Sequence, residues 1–423
     1  MNILVIGSGG REHAICKALK KSPHLKKLFC MPGNGGIEQD ALCVPARGTE
    51  EIVGFCKDEG IDLVIVGPEQ PLVDGVTDAL RAENIRVFGP SQKAAQLEAS
   101  KGFTKEICKK YHIPTAGYGW FDDPASALDY LAQQSMPIVI KADGLAAGKG
   151  VIIAHRRREA ERVIEEMFAG KFGDASSSVV IEEFLEGEEV SFFALSDGES
   201  AVEFGSAQDH KAAFDGDTGP NTGGMGTYAP APVMTPELRE QVMQTIILPT
   251  VKAMKEEGTP YQGVLFAGLM LTNEGPKLIE FNCRFGDPET QVLMTRLKSD
   301  LIEILYQTAS GALPKSPPLF HDQAALCVVM AAKGYPNDYE KGTEIKNLEK
   351  ASEIPDVTIY HAGTKRDGDR FFAAGGRVLG VTSVGDTIED AQARAYSAVD
   401  AIDWPEGFCR RDIGWRAMQK KAS

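Results

Sequence analysis

The chain reads as an α/β protein: an N-terminal doubly wound parallel-sheet domain, a middle of mixed strands and helices, and a small C-terminal α+β domain. Three observations lead there. The chain opens on an apolar run, Ile3-Leu-Val-Ile6, of the kind found in strands buried on both faces. Strand-like and helix-like segments then alternate as far as Val87-Phe88, which predicts a parallel sheet with helices on both sides. Beyond a Pro-rich connector at 310–319, strand runs at 324–332, 357–361 and 377–382 precede one amphipathic helix at 387–402. The 423 residues leave room for about three domains of roughly 100–200 residues each.

Composition narrows the function. With 43% hydrophobic and 25% charged residues the chain can bury a large core. A net charge of −15 and a pI near 5.1 lack the basic footprint of a general nucleic-acid binder. The first apolar run is too short for a signal segment and has no basic residues before it; no stretch approaches the ~20 apolar residues of a membrane span. A cytoplasmic protein acting on small molecules, with neither nucleic acid nor membrane as partner, is expected. The eight cysteines, among them Cys16, Cys30, Cys43 and Cys56, form no C-x-x-C pair, so reduced structural thiols are expected rather than zinc ligands.

Taken in order, the first strand runs into Gly7-Ser-Gly-Gly-Arg-Glu-His13 and a helix from Ala14. Backbone N–H groups at Gly9 and Gly10, with Arg11 as a charged donor, suit a phosphate. The turn is a poor dinucleotide fingerprint, because Glu12 stands where the third glycine belongs. A strand at 27–30, a helix at 49–59 and a strand at 61–66 follow, and Gly67-Pro-Glu-Gln-Pro71 lies at a carboxyl strand end, where open α/β sheets bind ligands. Glu69 there suits sugar hydroxyls, against the plainer reading of a solvated turn acid.

The stretch 92–111 has a long helical pattern carrying Lys101, Lys105 and Lys109, which by default face water. A strand ending at Lys141 leads into Ala142-Asp-Gly-Leu-Ala-Ala-Gly-Lys-Gly150, a loop between Lys141 and Lys149 suited to polyphosphate, though not a Walker A loop. After a charged helix at 156–168, a strand runs into Glu182-Glu-Phe-Leu-Glu-Gly-Glu-Glu189. Main-chain groups near Glu183 suit an adenine edge and Glu189 a ribose diol, against an ordinary hairpin with surface acids. The Gly- and Asp-rich stretch 208–226 reads as a long functional loop, opened by Asp209, His210 and Lys211.

The most informative stretch is Leu278-Ile-Glu-Phe-Asn-Cys-Arg-Phe-Gly-Asp-Pro-Glu-Thr-Gln291. On a strand, Glu280 and Asn282 project from one face and make a hard-oxygen pair suited to Mg²⁺ held jointly with phosphates. Arg284 adds a fixed cation, and Asp287-Pro-Glu289 reads as a helix N-terminus with Pro inside the first turn.

In this order the pieces resemble the glycinamide ribonucleotide synthetase family, ATP-grasp enzymes of purine biosynthesis. The resemblance covers essentially the whole chain. It rests on Gly9-Gly-Arg-Glu-His13, Gly67-Pro-Glu69, Ser100-Lys101, Lys141-Ala-Asp-Gly144, Glu182-Glu-Phe-Leu185, Asp209-His-Lys211, Gly219-Pro-Asn-Thr-Gly-Gly-Met-Gly226, Arg284-Phe-Gly-Asp-Pro-Glu289, His361-Ala-Gly-Thr364 and Gly375-Gly-Arg377. It implies an N-terminal domain over 1–100 that binds phosphoribosylamine, an ATP-grasp domain over 101–312 with a mobile lid lobe near 120–187, and a C-terminal domain over 324–423. The implied reaction joins glycine to 5-phosphoribosylamine at the expense of ATP, through glycyl phosphate, in a monomer.

The resemblance also implies roles. Lys105 and Lys141 reach the ATP phosphates; Glu182, Glu183, Phe184 and Leu185 form the adenine hinge, and Glu189 holds the ribose. Glu280 and Asn282 hold Mg²⁺ or Mn²⁺. Gly9, Gly10, Arg11, Glu69, Asp209, Lys211, Asn221, Arg284, Asp287 and Arg377 bind substrate, and Arg284, Lys141 and Asp209 are the catalytic set. The chain departs from the family where an Arg often follows Asp-His-Lys, since residue 212 is Ala, and strand 264–271 carries no acidic metal ligand. The alternatives are another purine-pathway ATP-grasp enzyme, a non-catalytic nucleotide-binding module descended from one and, weakest, an NAD enzyme.

Overall fold

The structure is a computed structural model that describes residues 1–145 and 150–421. Five parallel strands in the order Leu42–Cys43, Lys27–Pro32, Asn2–Gly7, Leu63–Val66, Val87–Phe88 form the N-terminal sheet. Its first strand is buried on both faces as expected. Leu4 and Ile6 join one core, while Ile3 and Val5 join another shared with helix Gly10–Leu19.

The middle of the chain makes two lobes. One is a four-stranded sheet in the order Tyr118–Phe121, Val179–Glu183, Ile138–Ala142, Val151–Ala154, with its own core between two helices, Pro124–Ala132 and Arg157–Phe168. The other is part of a nine-stranded sheet built around Glu188–Asp197, Ala201–Asp209, Gln262–Thr272 and Gly275–Asn282. That sheet does not stop at the Pro-rich connector. Strand Gly226–Ala229 pairs with Ala324–Ala332, which pairs with Arg377–Gly385, so the C-terminal strands continue the central sheet.

Four readings of the sequence, one of them only the plainer alternative at 178–191, are corrected. The helical stretch 92–111 is two helices, Gln96–Ala99 and Lys101–Lys110, because Ser100 turns extended and caps the second by accepting a hydrogen bond from the Phe103 N–H at 3.0 Å. Residues 178–191 are no hairpin: Val179–Glu183 and Glu188–Asp197 belong to different sheets, and 184–187 cross between lobes. The loop 208–226 contains a hairpin of Ala212–Phe214 against Thr218–Asn221. Pro288 precedes helix Glu289–Arg296 as its N-cap rather than lying within it.

Helix Glu289–Arg296 is the hub. It packs against helix Gly10–Leu19, strand Ala201–Asp209 and strand Ala324–Ala332, and so touches all three parts of the chain.

Candidate active site

Strand Gly275–Asn282 runs antiparallel to Gln262–Thr272 with a bulge at Ile279, so that Glu280 pairs with Gly268 and Leu278 with Leu269. Beyond the bulge, Glu280 and Asn282 alternate onto one face. Among the described residues none donates a hydrogen bond or an ion pair to the Glu280 carboxylate. Its negative charge favours the protonated forms of Lys101, Lys211 and Arg284, so it lies in the neighbourhood of all three. Asn282 is buried, and its Oδ1 accepts from Arg284 Nη2 at 3.1 Å. An unpaired carboxylate beside an amide oxygen is a donor set that fits a hard divalent cation.

Arg284 is fully engaged. Its Nε lies 3.2 Å from Glu69, Nη2 3.0 Å from Glu98, and Nη1 donates to the Phe285 carbonyl at 3.2 Å. Burial disfavours its charge, but Glu98 and Glu69 outweigh that and hold its pKa above the ordinary value. Burial opposes ionisation of Glu69 too, yet Arg284 and Arg11 hold it below the usual carboxylate range. Glu69 opens helix Glu69–Val73 rather than sitting in a turn. Glu98 also accepts the Cys283 N–H at 2.7 Å, so it grips the strand end directly; burial pushes its pKa up. Nothing in the local sequence marks Glu98, because its partners lie far along the chain.

The lysines expected at the phosphates converge. Glu182 lies 3.2 Å from Lys105 and 2.9 Å from Lys141, and all three are buried. Burial opposes the charge on Glu182, but Lys141 and Lys105 outweigh it and keep the group ionised; burial draws the Lys105 pKa down. Lys141 donates to the Ile279 carbonyl at 3.2 Å, which the bulge exposes, and Lys105 donates to Thr115 Oγ1 at 2.7 Å. Lys105 therefore does not face water. Lys101 joins this end through the Gly144 carbonyl at 3.1 Å. Glu183 pairs with Gly117 at both its N–H and its carboxylate, 2.9 Å each, while Phe184 and Leu185 sit half-buried in the lobe crossing. Gly148 and Lys149 lie outside the described residues.

At the other end the glycine turn meets the hub helix. A Cβ on Gly10 would lie 2.5 Å from Gln291 Nε2 and one on Gly9 3.0 Å from Asp287 Oδ2, so only glycine fits this approach. Arg11 is buried; Nε contacts Glu12 at 2.5 Å and Nη1 the Phe285 carbonyl at 3.1 Å, while its backbone N–H donates to Asp287 at 3.3 Å. Arg377 opens strand Arg377–Gly385 and donates to the carbonyls of Asp287 at 2.6 Å and Gly223 at 2.8 Å. Burial opposes the Asp287 charge, but Arg377 and Arg11 hold its pKa low.

Lys211 bridges Glu189 and Asp209, the latter at 3.3 Å. Burial opposes its charge, but Asp209 and Glu189 outweigh it and keep Lys211 protonated, while burial pushes Glu189 up. Asn221 is exposed on the hairpin opposite Ala212 and touches none of these groups. Glu289 is buried beside the site; it accepts from Ser191 Oγ at 2.9 Å, and burial together with Asp209 pushes it up to about 7.

The comparisons with known proteins converge on one family. Models of phosphoribosylglycinamide synthetase match over residues 1–98 (N domain), 99–290 (ATP-grasp domain) and 325–416 (C domain). The phosphoribosylamine–glycine ligase of Mesorhizobium japonicum is 57% identical over 423 residues, covering 100% of this chain and 99% of that one. The Escherichia coli O6:H1 ligase is 50% identical, with 100% of both chains covered. A crystal structure of phosphoribosylamine–glycine ligase from Thermotoga maritima superposes with a TM-score of 0.87 at 33% identity, covering 98% of this chain and 100% of that one. The biotin carboxylase domain of Hydrogenobacter thermophilus 2-oxoglutarate carboxylase, solved with MgADP, shares the fold at a TM-score of 0.72 and 18% identity, covering 96% and 91%. With converging lysines, an oxygen pair on the bulged strand and full-length identity all in agreement, the chain belongs to the phosphoribosylglycinamide synthetase family of ATP-grasp ligases.

Proposed function

We infer that the chain joins glycine to 5-phosphoribosylamine, giving glycinamide ribonucleotide, ADP and phosphate through glycyl phosphate, and that the site divides along the geometry above. A carboxylate is a poor electrophile, so glycine must first take the γ-phosphoryl group: a carboxylate oxygen bonds to phosphorus and ADP leaves. The amine then attacks the acyl carbon, phosphate leaves and the amine loses a proton. The first step brings two anions together in line, so the protein's work is positioning and neutralising charge.

Lys105 and Lys141 take the ATP phosphates, and Glu182, expected in the adenine hinge, instead pairs with both lysines and holds them in place until ATP arrives. Glu183, Phe184 and Leu185, where the chain crosses between lobes, take the adenine, and Glu189 the ribose. Glu280 and Asn282 hold Mg²⁺ or Mn²⁺, which when bound would neutralise phosphate charge. Asp209 and Lys211 offer the opposite charges that match the ammonium and carboxylate of glycine. Gly9, Gly10 and Arg11, with Asp287 and Arg377 behind them, take the phosphoribosyl end. Arg284, tied to Glu69 and Glu98, serves as a fixed cation beside the reacting carboxylate, and Asn221 on the exposed hairpin closes over the substrate. The division into 1–100, 101–312 and 324–423, with the lid at 120–187, follows the same roles. The reading takes the protein as a monomer working in the cytoplasm; no helix among the described residues is long and apolar enough to cross a membrane.

The observation that carries this reading is the pairing of Glu280 and Asn282 beside Lys141 on the bulged strand. No observation favours the non-catalytic module. The test is ADP formation with Mg²⁺, glycine or the amine omitted in turn, the amine being generated from ribose 5-phosphate and ammonia. Turnover is expected only in the complete mixture. Glu280→Ala should lower it by at least about a hundredfold and weaken Mn²⁺ binding followed by electron paramagnetic resonance. ADP release that ignores glycine would sink the substrate assignment.

A further inference from the structure

The hairpin that carries Asp209 and Lys211 at its root has almost no hydrophobic anchor of its own. Strand Thr218–Asn221 is exposed throughout, and of Ala212–Phe214 only Ala213 is buried. A segment with so little apolar burial is not held in place by its own core. It is held instead by the far end of the chain.

Residues 409–416 reach back and fasten the hairpin at both ends. Arg410, whose side chain is 0% exposed, contacts Asp217 at 2.8 Å and donates to the Ala212 carbonyl at 3.2 Å. Its remaining nitrogens take both oxygens of Asp412 at 2.8 Å, and Asp412 in turn accepts the Gly216 N–H at 2.9 Å. The Arg411 N–H donates to Asp215 at 2.8 Å. Arg416 contacts the other oxygen of Asp217 at 2.5 Å and donates to the Asp209 carbonyl at 3.4 Å. His210 completes the fastening: Nε2 accepts the Gly414 N–H at 3.2 Å, and Nδ1 lies 3.2 Å from the Gly226 carbonyl. Most of the contacts are charge-assisted, and the Arg410–Asp412 pair is bidentate, which fixes orientation as well as distance. Ala212, where a guanidinium often stands in the family, offers no side chain to this fastening; its carbonyl takes the Arg410 guanidinium instead.

We propose that segment 409–416 is a clasp that sets the hairpin and thereby places Asp209 and Lys211 for the small charged substrate, with Arg410 and Arg416 as positioning residues. The proposal rests on the assignment of Asp209 and Lys211 to glycine. The clasp itself can be tested without that assignment.

Asp217→Asn, Arg416→Gln and the double variant serve as probes, because Asp217 and Arg416 are partly exposed and their loss leaves Arg410 paired with Asp412. Hydrogen exchange of amides 212–221 should quicken in each single variant, and the double variant should add little to the larger single effect. The KM for glycine should rise roughly tenfold while the KM for ATP stays unchanged, with partial recovery in Arg416→Lys. Unchanged exchange would overturn the clasp. Faster exchange with unaltered glycine kinetics, or an equal rise in both KM values, would overturn its positioning role. If wild-type ADP formation proved independent of glycine, the substrate assignment would fail and the exchange data would still decide the clasp.

Discussion

Glu182 shows how one buried residue serves two neighbours. A lone carboxylate at that depth would be driven neutral, and two lysines at that depth would repel each other; together they form a triad with net charge +1 that a polyphosphate can complete. Removing the central carboxylate strands two buried ammonium groups. Glu182→Gln is therefore expected to lower stability by about 3 kcal/mol in urea unfolding without nucleotide, and saturating MgATP should recover much of the loss by supplying anions. Equal losses with and without nucleotide would show that the triad is structural only. The triad was only half legible in the sequence. Lys141 at a strand end could be read locally, and so could the alternation that puts Glu280 and Asn282 on one face. Lys105 could not, because a lysine in a helical pattern looks solvated until the strand that covers it is known. Glu98, Ser191 and Gln291 gave no signal for the same reason: each matters through a partner from another element.

Elements whose burial is decided locally were the ones sequence periodicity found. The strands Ala324–Ala332 and Val357–His361 follow their apolar runs, and helix Ile388–Ala401 starts after its Thr387 cap. Elements decided by a distant partner were missed. The helical stretch 92–111 breaks at Ser100 because Asp143, from the loop after Lys141, draws in Ser100 Oγ at 3.2 Å and the Gly102 N–H at 2.7 Å. This break also sets a contact with the four-stranded lobe. Gly102 lies in the first turn of helix Lys101–Lys110, and the Trp120 indole of the four-stranded lobe lies against it; a Cβ there would stand 2.2 Å from the ring. Gly102→Ala adds a Cβ that forces the half-exposed indole aside. The expected result is a shift in tryptophan emission and a several-fold higher KM for ATP with the glycine KM unchanged. Unaltered emission and kinetics would show that Trp120 does not couple the four-stranded lobe to the helix.

At the scale of the whole molecule, the C-terminal strands dock on the N-terminal domain through two neutral histidines. The His361 N–H donates to His13 Nδ1 at 2.7 Å, so the His13 proton sits on Nε2, 3.0 Å from Asp40. Asn34 donates to the His361 carbonyl at 2.8 Å, and Gly36 admits the His361 ring where a Cβ would lie 2.3 Å away. Protonating His13 at Nδ1 would abolish the acceptor on which this seam depends. Burial lowers the His13 pKa against the pull of Asp40, and burial with His13 and Lys17 lowers His361 to about 3; burial also takes His210 down to about 4. A histidine depressed in the folded state contributes stability that is fully present above its unfolded value near 6.5 and is lost as pH falls below it. Asp40, also depressed because His13, Lys20 and Lys17 outweigh its burial, adds its own loss only below the ordinary carboxylate range near 3.8. Between pH 6.5 and 4.5 each depressed histidine steepens the loss by up to about 1.4 kcal/mol per pH unit, while Glu289, raised to about 7, works in the opposite sense, so the test compares a single-histidine variant with wild type. His13→Gln keeps an acceptor for His361 and a donor for Asp40 but cannot take up a proton. Urea unfolding at pH 7.5, 6.5 and 5.5 should show the variant less stable than wild type at the highest pH and the gap closing by about 1 kcal/mol per unit below 6.5. Parallel stability curves would mean that His13 does not titrate against folding and that the seam holds through Asn34 and packing alone.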